Sequence, residues 1–461
     1  MIIENTSLQT SALTWYLAVG LLVLWALTLL FLVRIRGGWQ QVLMSLLGLA
    51  WIGFGIGIVF RFFLLAYDAE AFASPSTTLA NRPPAVVNLA LASAGVFWIC
   101  FVAAALAARL FPVPRLLAAL LRRPGTLARP SALPTTIVSC VCIAAALSPS
   151  TPAALVTPLS VLGSMWVIPA TSTWIRWFRR EPVPSLTLVA TLAPGVLQLV
   201  LSPYREHLLM VVLVVLVAAV CAGRRIRLAV VVPLATVIVL LSTIAVGTYR
   251  EGVWWGVAPD DALSRVSFAQ WEDRPFDAPW TAVLRRFHDF DSLLLTVDLI
   301  PSVLPYSDRD VLLEGVTRAV IPRLVDPTKR ASDEGLQFQT MIWSFDDDPM
   351  RELGTASIAP SMPGSLYAAG GFAEMIGGAL LWGLLLSFIE HLKKEMFSPV
   401  SAGLHVLFSV QALAGIERDY SAAFANMVQT FGMLLCVCFV LGLFELSPHQ
   451  SRSEAGAPAG P

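Results

Sequence analysis

ALTWYLAVGLLVLWALTLLFLV, residues 12–33, is a run of twenty-two residues without a charge. About 20 such residues in a helix cross roughly 30 Å of hydrocarbon, so the stretch predicts a membrane span. Residues 42–60, 85–108, 228–249 and 421–444 read the same way, each uncharged over at least nineteen positions. In lipid every backbone polar group must be satisfied internally, which makes these spans helices. A transmembrane barrel would instead show short alternating strands. The composition agrees: the chain is 56% hydrophobic and 13% charged, where a soluble domain carries about 25% charge.

Further apolar segments, some of them short, lie at 132–147, 153–175, 183–201, 208–223, 364–389 and 400–416. The expected fold is therefore all-α, a polytopic helical bundle of about eleven spans with one long external loop. Pro149 and Pro152 follow 132–147 closely, and that segment reads either as a span or as a re-entrant turn. The start, MIIENTSLQT, lacks the positive region of a signal peptide, so the first span is expected to be retained.

Cytoplasmic loops are enriched in Lys and Arg. Basic clusters follow every odd-numbered span: Arg34 and Arg36, then Arg115 to Arg129, Arg176 to Arg180, Arg224 to Arg227, and Lys393 with Lys394. The alternation places the N-terminus outside and the C-terminus in the cytoplasm. The organisation that follows is an N-terminal bundle over 1–249 with about eight spans, an outward loop over 250–363, about three further spans over 364–446, and a disordered cytoplasmic tail over 447–461. All six cysteines fall in apolar runs and read as packing residues, with no disulfide framework. Zero net charge argues against a nucleic-acid partner.

Between Arg250 and Glu352 there are eleven basic and nineteen acidic side chains, so the loop is acidic overall. Against that background Arg318, Arg323, Lys329 and Arg330 form a local positive site within thirteen residues. A helix is expected over 281–299 with its apolar face on the outer leaflet. A second should start at Ser307, with Asp310 three residues on as a capping box. Its buried stripe would be Val311, Leu312, Val316, Ala319 and Val320, with Glu314 and Arg318 one turn apart. Pro322 ends it.

IPRLVDPTK (321–329), followed by TASIAPSMPGSLYAAGGFAEMIGGALLWG (355–383), resembles the Wzy-type polymerases of oligosaccharide repeat units, which serve O-antigen, capsule and exopolysaccharide assembly. The likeness covers roughly residues 280–385. It departs from the family pattern after Tyr367, where Ala369-Gly370-Gly371 stands in place of Asn-Phe-Gly. The resemblance implies a multi-pass enzyme of the bacterial cytoplasmic membrane. Its implied partners are the bilayer, polyprenyl-diphosphate-linked oligosaccharides and a chain-length regulator. A growing glycan would leave its lipid diphosphate for a hydroxyl of an incoming lipid-linked unit. Arginine suits the departing diphosphate, because its planar fork binds phosphate oxygens bidentately and keeps its proton.

On that basis Arg323, Lys329 and Arg318 are the first candidates for catalysis, with Arg285, Arg286 and Arg330 binding substrate. An inverting transfer also needs a base, for which Asp289, Asp291 and Glu314 are alternatives. Tyr367, Glu374 and Arg418 are further substrate-binding candidates. Glu374 is the one charge inside any span as drawn, where charges are costly and usually functional; contact with substrate and a structural arginine partner are equal alternatives. Glu417 to Tyr420 reads as a self-paired turn or as a cavity rim. His405 reads as a packed, hydrogen-bonded histidine. FDDDP (345–349) reads as a solvated acidic turn. No cofactor or metal is expected, since no phosphate loop, dinucleotide motif or zinc spacing occurs. Two other functional classes stay open: a lipid-linked oligosaccharide flippase or transporter, and another membrane glycosyltransferase or O-antigen ligase.

Overall fold

The structure, a computed structural model, describes residues 8–68, 82–108, 132–148, 150–201, 205–224, 289–307, 311–320, 360–395 and 398–445. Among them every regular element is helical. Ser11 opens α1 (Ala12–Arg36) with a reciprocal capping box to Thr14, and Gly37 closes it in a left-handed conformation. After the short α2 (Trp39–Leu43), Ser45 caps α3 (Leu46–Phe54) by accepting from the Gly48 N–H. A π-helical segment, Gly55–Phe60, carries that helix into α4 (Arg61–Tyr67).

The remaining elements are α5 (Pro84–Ala107), α6 (Ala132–Leu147), α7 (Ala153–Ser164), α8 (Val167–Phe178), α9 (Ser185–Leu201), α10 (Arg205–Cys221), α11 (Asp289–Leu299), α12 (Val311–Val320), α13 (Met362–Glu395), α14 (Ser398–Ala414) and α15 (Tyr420–Glu445).

Among the described residues, four helices are long and apolar enough to cross a membrane: Ala12–Arg36, Leu46–Tyr67, Pro84–Ala107 and Met362–Leu392. The sequence predicts about eleven. Some of the difference is physical. The segment expected as one span over 153–175 is broken at Met165 and Trp166 into two twelve-residue helices, α7 and α8. Pro169 explains the break: in a continuous helix its ring would meet the carbonyl of Met165, whereas in the first turn of α8 it is tolerated. The apolar helices α6, α9, α10 and α14 are only 16 or 17 residues long. Residues 228–249 lie outside the described residues.

The second span is also displaced, from the expected 42–60 to Leu46–Tyr67. Ser45 sets its start, and the π-helical segment continues it past Phe60, so Arg61 becomes part of the helix. The core is built by close approach. α13 runs along α5, where a Cβ on Gly383 would lie 2.3 Å from the Phe101 carbonyl oxygen. α14 crosses α3 at Gly53, which meets the backbone of Leu413. Small residues at such crossings let apolar helices pack without a solvent drive. On the outside of the bundle, α1 exposes Leu13, Trp15, Tyr16, Leu27 and Leu30, and α9 exposes Leu186 and Val189.

One expectation is corrected outright. The helix over 281–299 was predicted to lie on the outer leaflet. Instead α11 is enclosed: every residue from Asp289 to Val297 is buried, between α4, the π-helical segment, α5 and α13.

Candidate functional site

The site begins with an interruption in α13. Gly370 (φ −162°, ψ 30°) and Gly371 (φ 66°, ψ −143°) leave helical geometry. The backbone of Gly371 falls in a region open essentially to glycine alone. The break folds the first turns back on the long arm, so that Leu366 touches Gly378 twelve positions on. A straight helix would hold them about 18 Å apart. Glu374 therefore stands in the first turn of the long arm rather than deep in a span, and a carboxylate there is favoured by the helix dipole.

The fold-back is clamped from three sides. Met362 N–H donates to the Ile416 carbonyl at 2.9 Å, and Tyr420 N–H donates to Ser365 Oγ at 2.9 Å. Ser307 N–H donates to the Ala368 carbonyl at 2.9 Å. The Tyr306 ring then sits edge-on to buried Tyr367, which meets Phe372 in the same way. Tyr306 also covers Gly371, with its hydroxyl 3.0 Å from where a Cβ would be. Three aromatic rings and one carboxylate thus surround a helix break.

Beneath it, α11 brings two carboxylates into the bundle. Asp291 accepts from Arg61 Nε at 2.8 Å and from Arg61 Nη2 at 2.5 Å, and both side chains are fully buried. Asp289 lies one helix face away, its carboxylate pressed against the π-helical segment: a Cβ on Gly57 would be 1.8 Å from Asp289 Oδ2. π-helical turns are frequent at functional sites because they open the backbone locally. Here the opening receives an aspartate. At the other end of α11, Asp298 pairs with Arg82.

α12 completes the assembly. It packs on α15 through Gly315, which lies against the ring of buried Tyr420. The predicted stripe is corrected: Gly315 is buried and Leu312 is partly buried, but Val316 is exposed beside Leu313. Gly315 governs the contact, since an apolar-residue count cannot register a face without side chains. α12 also meets α13, where Gly377 faces Leu312, and α13 meets α15, so the three helices come together.

Arg418 lies between Glu417 and Asp419 of its own turn, and both act on it electrostatically. It reaches Glu206 at the start of α10, and that carboxylate raises the guanidinium pKa beyond its ordinary value. Asp419 also caps α15, its Oδ1 accepting from Ala422 N–H at 2.7 Å. His405 is buried, with its Nε2 3.2 Å from Ser409 Oγ.

Of the candidates from sequence, the structure brings together Tyr367 and Glu374 at the break, and Asp289 with Asp291 below it. Glu314 and Arg318 fall in α12, at positions whose side chains are outside the described set. Arg285, Arg286, Arg323, Lys329 and Arg330 lie outside the described residues. Arg61 and Tyr306 join the site without having been singled out, and Tyr420 joins it from the turn read either as self-paired or as a cavity rim. Arg61 sat one residue beyond a span drawn to end at Phe60, and the capping serine at 45 was the signal that would have moved that span.

Glu390 was missed similarly, one residue past 364–389. It is buried, accepts from Leu46 N–H at 2.7 Å and pairs with Arg36 at 2.7 Å. It caps α3 and ties the ends of α1 and α13 together.

Residues 136–443, well over half of the chain, match the family described as "Domain of unknown function (DUF8712)", and the chain belongs to that family. No curated protein and no solved structure matches it.

Proposed function

We propose that this member of the DUF8712 family is a membrane-embedded polysaccharide polymerase, transferring a polyprenyl-diphosphate-linked glycan onto an incoming lipid-linked oligosaccharide at the outer face of a bacterial cytoplasmic membrane. The observation that carries the reading is the clamped break at Gly370–Gly371. It gathers Tyr306, Tyr367, Glu374 and Tyr420 at the point where α12 docks, and the cation-rich stretch 321–330 follows directly from α12.

In this reading the chain crosses the membrane about eleven times. Two contacts support a common cytoplasmic side for the basic clusters. Arg224 donates to the Phe178 carbonyl at 2.7 Å, joining the basic ends of α8 and α10, while Arg36 meets Glu390 near the basic end of α13.

The transfer breaks the bond between the anomeric carbon and the diphosphate oxygen, and the electron pair stays on that oxygen. The acceptor hydroxyl oxygen bonds to the anomeric carbon and gives its proton to a carboxylate. Arg323, Lys329 and Arg318 hold the charge that grows on the diphosphate, stabilising the transition state more than the ground state. Arg285, Arg286 and Arg330 bind the lipid diphosphates, and Tyr367 and Glu374 receive the sugars. Asp291 is committed to Arg61 and Asp289 is packed against Gly57, which leaves Glu314 as the base.

Replacing Arg323 by Ala removes one charge-stabilising contact, which commonly costs a factor of about 10² to 10³ in rate. The variant is expected at normal abundance in the membrane with polymer abolished. Near-normal polymer length in that variant would overturn the reading.

A second reading draws on the same break. Interrupted helices with their termini aimed at substrate are common in transporters, so a lipid-linked oligosaccharide flippase is the alternative. Vesicles that move the lipid-linked unit across the bilayer without lengthening it would favour the flippase.

A further inference from the structure

A recess none of whose lining residues belongs to the break lies beside α14. Residues of α6, α7, α9, α10, α14 and α15 line a half-open cavity of about 390 Å³. It extends down α15 to Thr430, ten residues below Tyr420, or about 15 Å along the axis. Cavities of roughly 300–1,000 Å³ with a few convergent polar groups are the usual form of small-ligand sites.

The lining chemistry is specific. Ser160, Ser164, Gln198, Gln411, Asn426 and Thr430 supply neutral hydroxyls and amides, set in walls of aliphatic side chains. Gln198 and Thr430 are over nine-tenths buried. Gln411 donates from Nε2 to Thr430 Oγ1 at 3.0 Å, and its buried Oε1 has no hydrogen-bond partner among the described residues. Leaving a buried acceptor without a donor is unfavourable, so the wall presents an acceptor that a ligand donor would satisfy. Among the described residues the lining holds one carboxylate, Glu206, already paired with Arg418, and one imidazole, His207. The lining carries no lysine or arginine among the described residues, and neutral donors and acceptors outnumber the charged groups.

We infer that this cavity binds an uncharged polyol group carried on an apolar body, hydrogen-bonded by Gln198, Gln411 and Thr430. The group could come from a sugar on a lipid or from the glycerol of a neutral lipid. The inference stands on the cavity alone and holds whether or not the protein polymerises glycans.

Trp166 provides the reporter. It is fully buried and its Nε1 donates to Gln198 Oε1 at 3.4 Å. The full chain in lipid nanodiscs would be titrated, below micelle-forming concentrations, with octyl glucoside, with monooctanoylglycerol and with octanol. A saturable change in tryptophan emission is expected with one or both polyol amphiphiles and not with octanol, and it should vanish in Trp166→Phe. Affinity should fall about tenfold in Gln411→Leu and in Thr430→Val. The glucoside alone binding would identify a sugar source, and the monoacylglycerol alone a lipid one. The proposal is overturned if neither polyol amphiphile saturates, if octanol binds equally, or if both variants, folded as judged by size exclusion, bind like the parent.

Discussion

Arg61 and Asp291, 230 positions apart in sequence, form a two-pronged ion pair with no solvent contact, Nε to Oδ1 at 2.8 Å and Nη2 to Oδ2 at 2.5 Å. The pair fastens α11 to the helix that carries the π-helical segment. Desolvating two charges is costly, and only a bidentate geometry offsets it. Removing one partner strands the other. Arg61→Ala is expected to destabilise the protein by about 3–5 kcal/mol, read as a lowered thermal midpoint in detergent. Exchanging both for apolar residues, Arg61→Met with Asp291→Leu, should recover most of the loss. A single variant as stable as the parent would contradict the pairing.

Arg418 and Glu206 supply the contrast. Their side chains are about one-third exposed, at 32% and 36%, and exposed pairs contribute about 0–1 kcal/mol. Arg418→Ala should therefore leave the thermal midpoint nearly unchanged. Under the polymerase reading it should still weaken substrate turnover. A large loss of stability would show that the contact is structural instead.

Gly371→Ala tests the break. The residue would have to adopt a backbone conformation open essentially to glycine, at about 1–3 kcal/mol, with Tyr306 against its Cβ. Activity should fall further than stability, because straightening α13 would move Tyr367 and Glu374 apart. Equal effects on both would remove the break from function.

Gly57→Ala addresses the π-helical segment. The added methyl would occupy the place of the Asp289 carboxylate, so α11 must shift. The expected outcome is faster proteolysis near residues 289–299, while Gly20→Ala, which meets nothing within 4 Å, stays like the parent. Indistinguishable digestion patterns would contradict the packing.

These contacts also mark what the chain discloses before it folds. The long apolar helices were legible, since α1 and α5 are set by residues 12–33 and 85–108 alone, with hydrocarbon thickness doing the rest. The break at Gly370–Gly371 was legible as a glycine cluster beside Tyr367 and Glu374, although not as a fold-back. The burial of α11 was not legible. Asp289 and Asp291 read as alternatives for a catalytic base, and nothing local reveals that an arginine over two hundred residues away neutralises one of them. The helix ends misled similarly. Arg61 and Glu390 each fell one position outside a drawn span, because hydropathy counts charges as boundaries whereas a caps-and-partners view can place them inside.

The central claim is the transfer itself. The purified full-length protein, reconstituted in lipid vesicles with a defined polyprenyl-diphosphate oligosaccharide, can be followed by mass spectrometry of both glycan and lipid. The account predicts glycans lengthened by whole repeat units, with one polyprenyl diphosphate freed for each unit added. Intact starting material, with no lengthened glycan and no freed polyprenyl diphosphate, would contradict it.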